Sequence, residues 1–79
     1  MLILYTTPMC PYCKRVEAYL EEANIPYEER DVASNPTFRE ELLDKGGRMQ
    51  VPFLVDTERD ASMYESEDML NYIAEHYAK

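Results

Sequence analysis

A chain of 79 residues with 46% apolar and 30% charged side chains suits one small domain over residues 1–79 and is too ordinary in composition for a disordered segment. Sixteen acidic against eight basic residues leave a net charge of −8, which disfavours nucleic acid and anionic lipid; it gives a solvated acidic face or steers basic protein partners. No apolar run reaches membrane-spanning length, and Met1-Leu2-Ile3-Leu4-Tyr5 lacks the length and basic flank of a signal peptide, so a domain working off the membrane in the reducing cytoplasm is expected.

Leu2 to Tyr5 is continuously apolar, as a strand buried on both faces requires. Next come the only two cysteines, in Cys10-Pro11-Tyr12-Cys13, at the seam between this strand and a helix pattern. Val16, Leu20 and Ala23 recur at helical spacing, with Lys14, Glu17, Glu21 and Glu22 between them. Asn24 and Pro26 stop that helix, and Tyr27 to Val32 reads as a strand polar enough for a sheet edge. Asn35-Pro36 opens a second helix, Phe38, Leu42 and Leu43 form its apolar stripe, and Gly46-Gly47 closes it.

Pro52 to Asp56 and Ala61 to Tyr64 are two further strands, divided by the polar turn Thr57 to Asp60. A last helix is expected with Ser66 as its cap, Glu67 and Asp68 at its positive end, and Met69, Leu70, Ile73 and Tyr77 on one face. The order β-α-β-α-β-β-α predicts an α/β fold, a four-stranded mixed sheet flanked by helices. Its first two strands are parallel through a crossover helix and its last two antiparallel through a short turn. Tyr5, Tyr19, Tyr27, Tyr72 and Tyr77 suit packing positions, and nothing marks His76 as catalytic.

The dithiol carries the chemistry. A sulfur at a helix start meets unpaired backbone N–H groups and the positive end of the helix dipole, and both favour the reactive thiolate. A structural disulfide across two residues would constrain the unfolded chain little and would not persist under reducing conditions. No metal site is expected, since His76 is the sole histidine and lies some sixty residues from the cysteines.

Cys10-Pro11-Tyr12-Cys13, where the first strand meets the first helix, resembles the active site of dithiol glutaredoxins, and the element order resembles a thioredoxin-like domain. Gln50-Val51-Pro52-Phe53 resembles the Thr-Val-Pro segment of glutaredoxins and the Val-Pro segment of glutathione transferases. That likeness implies a cis bond before Pro52 and a Val51 backbone turned toward a peptide-like ligand; a plain strand start at Pro52 is the other reading. Tyr64-Glu65-Ser66 departs from the Gly-Gly of many glutaredoxins. Glu-Ser instead resembles the transferase N-terminal domain, which implies Glu65 for the α-ammonium group of glutathione and Ser66, with the helix N–H groups, for its carboxylate. A simple cap at Ser66 and a solvated carboxylate at Glu65 compete with those roles.

No lysine precedes Cys10, so a cation for glutathione would come from Lys14, Arg15 or Arg48, with Arg48 assigned to the glycine carboxylate or else left exposed and uncommitted. Tyr12 would flank the sulfur and pack on glutathione, or stand as an exposed loop aromatic.

The resemblance implies a glutathione-dependent thiol-disulfide oxidoreductase with Cys10 as nucleophile and Cys13 as resolving thiol. It would act as a monomer on disulfide-containing or glutathionylated proteins, with glutathione as reductant and no tightly bound cofactor. The rival from another class is a non-catalytic glutathione-binding or transferase-like module. Against conjugation stands the end at Lys79, without the helical domain that transferases use for their second substrate. An iron–sulfur scaffold using Cys10 from two subunits is disfavoured, because glutaredoxins of that kind usually lack the proline and second cysteine present here.

Overall fold

The computed structural model describes residues 1–77. Its order is β1 (Leu2–Thr6), α1 (Pro11–Glu22), β2 (Tyr27–Asp31), α2 (Pro36–Gly46), β3 (Phe53–Asp56), β4 (Ala61–Met63) and α3 (Ser66–His76). The four strands form one mixed sheet in the order β2-β1-β3-β4. β1 runs parallel to β2, with Leu4 opposite Glu29, and antiparallel to β3, with Leu4 opposite Leu54. β3 pairs antiparallel with β4. The thioredoxin-like architecture expected from the sequence is present, with polar β2 at an edge.

Every residue of β1 and β3 is buried, because helices cover both faces of these central strands. Alternation sorts their side chains. Leu2, Leu4 and Leu54 point to one face and pack with Val16 and Leu20 of α1 and Met69 and Ile73 of α3. Ile3, Tyr5, Phe53 and Val55 point to the other, beneath Leu42 of α2. Each fully buried leucine contributes on the order of 2 kcal/mol through removal from water.

Element ends follow local chemistry. Asn35 caps α2 by accepting the Thr37 N–H at 2.9 Å, and Pro36 takes the first helical position, where a missing N–H costs nothing. Gly47, at φ 84°, ends α2 in the left-handed region that favours glycine. Asn24 and Asp60 supply positive φ after α1 and in the β3–β4 turn.

Three expected details differ. Ala23 is the C-cap of α1 and exposed, and Ile25 just beyond it fills the core position instead. Leu43 is 42% exposed, and α2 packs its apolar side chains on the sheet through Leu42 and Phe38. Ser66 does not cap α3. Glu65 holds the N-cap position with extended backbone and Ser66 is already helical, one residue too late for its hydroxyl to reach the first-turn N–H groups.

Among the described residues no helix is long and apolar enough to cross a membrane.

Candidate active site

β1 delivers the chain through a turn, closed by the Cys10 N–H donating to the Thr7 carbonyl at 3.3 Å, into the start of α1. Pro11 takes the first helical position, and Cys10 is left as N-cap with extended backbone. A cysteine at an N-cap offers its sulfur where Ser or Asp would offer oxygen. Cys10 Sγ accordingly accepts the Cys13 N–H at 3.1 Å. Cys10 is half-buried rather than fully exposed, and Cys13 is buried. Both thiols are free.

The second thiol is held protonated. Burial, with the Cys10 hydrogen bond and the charge of Glu17 acting in the same direction, pushes the Cys13 thiol up to about 12 against an opposing contact with the Thr7 backbone. Glu17, one turn further along α1, is itself raised by burial and by the nearby Glu29 carboxylate. Negative charge therefore accumulates behind Cys13 and discourages its ionisation.

Beside the start of α1 lies a cleft of about 470 Å³, a size that accommodates a small ligand. Tyr12, Gln50, Val51, Pro52, Glu65 and Ser66 all line it. Three separate stretches of sequence thus converge on one site. The Val51–Pro52 bond is cis, and Val51 precedes the first residue of β3, outside the paired register with β1. Tyr12 is 61% exposed. Glu65 and Ser66 enter from the start of α3, where the N-cap Glu65 makes no side-chain cap hydrogen bond.

Neither cysteine forms part of the cleft wall; Tyr12, between them, brings the motif to it. Arg48 is not on the wall either. Its guanidinium lies 4.3 Å from the centre of the Tyr64 ring, a cation–π contact, while the Tyr64 hydroxyl donates to the Arg48 carbonyl at 2.7 Å and accepts the Arg48 N–H at 3.1 Å. Arg48 therefore braces Tyr64 in the present arrangement.

Two wall residues, Tyr64 and Glu67, have no role in the site on sequence grounds, while Arg15 is the one of the three candidate cations Lys14, Arg15 and Arg48 that reaches the wall. Arg15 follows Tyr12 by three positions and so shares its helix face, a signal the spacing carries. Tyr64 packs on Phe53 with ring centres 4.5 Å apart, which ties the cleft to the core. Arg15 Nη2 pairs with Glu67 Oε1 at 3.2 Å, joining the second turn of α1 to the first turn of α3. Among the described residues no group of three or more His, Cys, Asp or Glu side chains is gathered for a metal ion.

Comparison with known proteins agrees with this geometry. The family described as "Glutathione S-transferase, N-terminal domain" matches residues 4–79. The global transcriptional regulator Spx of Listeria monocytogenes is 45% identical over 44 residues, 56% of this chain and 34% of that protein. Glutaredoxin 3 of Escherichia coli is 37% identical over 49 residues, 62% of this chain and 59% of the relative. The matched stretches thus span less than two thirds of either relative.

Among solved structures, the thioredoxin-like protein BC3987 superposes with a TM-score of 0.79 at 27% identity, covering 92% of this chain and 99% of that one. A glutathione transferase homologue from Drosophila mojavensis, solved with bound glutathione, gives a TM-score of 0.80 at 29% identity over 99% of this chain and 36% of its own. These similarities support a thiol-redox or glutathione-related function on a thioredoxin fold. With the family match running through nearly the whole chain, the protein belongs to the glutathione S-transferase N-terminal domain family, as a thioredoxin-like domain of glutaredoxin and transferase type.

Proposed function

We propose that this domain is a glutathione-dependent thiol-disulfide oxidoreductase that reduces glutathionylated and disulfide-bonded proteins. The observation that carries the reading is the asymmetry of the dithiol. Cys10 is accessible and receives a backbone N–H at the start of α1, whereas Cys13 is buried and held as a thiol. Such a pair has one sulfur for attack and one for resolution.

In the first step the Cys10 thiolate attacks the glutathione sulfur of a mixed disulfide. A Cys10–glutathione disulfide forms and the protein thiolate leaves. A second glutathione thiolate then attacks the glutathione sulfur of that bond, releasing oxidised glutathione and returning Cys10. Alternatively Cys13 gives up its proton and attacks Cys10 Sγ, glutathione leaves as thiolate, and two further glutathiones reduce the Cys10–Cys13 bridge. The cleft would hold glutathione between Tyr12, Val51 and Glu65-Ser66, with no bound cofactor required. We further propose that residues 1–79 work as one monomeric domain in the reducing cytoplasm, where the dithiol is the resting form.

The test is turnover of a glutathione mixed disulfide coupled to glutathione reductase. Wild type should turn over, Cys10→Ser should be inactive, and Cys13→Ser should keep substantial activity through the route that needs Cys10 alone. Equal loss in both variants would reject glutathione as the resolving thiol. The match to Spx favours a second reading, in which the same dithiol serves as a redox-responsive element in a regulator. Reversible Cys10–Cys13 oxidation without turnover would support it.

A further inference from the structure

We infer that Arg15 is the carboxylate anchor of the cleft and that Glu67 competes for it, so that an entering peptide carboxylate exchanges with Glu67 on the Arg15 guanidinium. The inference rests on the glutathione reading above and adds a specificity-determining pair to it. Arg15 is the one cationic side chain on the cleft wall among the described residues. Arg48, the other nearby guanidinium, is engaged with the Tyr64 ring.

The Arg15–Glu67 contact is built to be exchanged. Both Glu67 oxygens fall on a single nitrogen, Nη2, at 3.2 and 3.5 Å, so the pair is not the two-pronged fork that makes arginine–carboxylate contacts strong. Nε and Nη1 make no other hydrogen bond among the described residues. Both partners are more than half exposed, so water competes for the pair and little affinity is lost in opening it. With Glu65 and Glu67 on the same wall, a ligand carboxylate would meet net negative charge without Arg15. Glu67 thus lowers the affinity of a carboxylate ligand by occupying Arg15, and a ligand whose carboxylate reaches the guanidinium must displace it.

Equilibrium binding of S-methylglutathione, which has the peptide but no reactive thiol, tests this by calorimetry on Arg15→Gln, Glu67→Gln and the double variant, with thermal melts to verify folding. Arg15→Gln should weaken binding about tenfold and Arg15→Lys should recover part of the loss. Glu67→Gln should tighten binding about threefold, and that gain should vanish in the Arg15→Gln background.

Unchanged affinity in Arg15→Gln, no binding by wild type, or an equal gain from Glu67→Gln with and without Arg15 would each overturn the inference. Turnover by wild type with flat affinities rejects the anchor alone. The predicted affinity pattern without turnover keeps the anchor and rejects the oxidoreductase reading.

Discussion

The Cys13 backbone N–H points at Cys10 Sγ across 3.1 Å. Two chemically identical side chains are thereby given opposite environments by a spacing of three. The first sits where helix N–H groups are free, and the second where the helix has turned inward onto the sheet.

That division predicts selective alkylation. Iodoacetamide at neutral pH should add a single group to the native protein, on Cys10, because Cys13 is buried and its thiol is pushed up to about 12. Peptide mapping should find Cys13 modified only after unfolding in urea. Comparable labelling of both cysteines in the native state would show that their environments do not differ.

Gly46 is where backbone makes room for the cleft wall. A Cβ there would stand 2.0 Å from the Tyr64 hydroxyl and 2.6 Å from its Cζ, and Tyr64 is fixed by two hydrogen bonds to Arg48 and by Phe53. Gly46→Ala should therefore push the ring out of place, costing about 1–3 kcal/mol in denaturant unfolding and weakening glutathione binding together. An unaltered unfolding midpoint would mean that Tyr64 yields freely.

Asp56 is a buried polar hub at the far end of β3. Burial alone would raise its carboxyl, but hydrogen bonds from Tyr72, Tyr77, the Glu58 N–H and Arg59 prevail and hold it well below the usual carboxylate range. A depressed folded value gives stability that is fully present above the unfolded value of about 4 and is lost as pH falls from there through the folded value. Asp56→Asn should cost about 1–3 kcal/mol at pH 7 by chemical denaturation, and the gap to wild type should begin to narrow below about pH 4. A gap that stays constant down to pH 3 would contradict this.

The parts of the molecule that were legible in the sequence are those set by local rules. The strand and helix order, the Asn35-Pro36 start, the Gly47 stop and the edge position of β2 all follow from spacing and backbone chemistry. The convergence of Tyr12, Val51-Pro52 and Glu65-Ser66 on one cleft is instead what the resemblance of these three motifs to glutaredoxins and glutathione transferases implies. What was missed depends on contacts between distant residues. Arg48 turns to Tyr64, sixteen positions away, and Arg15 meets Glu67 from another helix. The Asp56 hub gathers tyrosines from α3 and its C-cap, which periodicity identifies only as packing residues. The Ser66 difference is one residue of helix phase, within the usual uncertainty of a helix end.

The most direct measurement is the intact mass of the Cys13→Ser variant after brief exposure to oxidised glutathione at neutral pH. A single glutathione on Cys10, removed within minutes by reduced glutathione and formed far faster than on the urea-unfolded chain, is the result predicted for a folded site that uses this sulfur. An adduct no faster than that of the unfolded chain, or none at all, would contradict it.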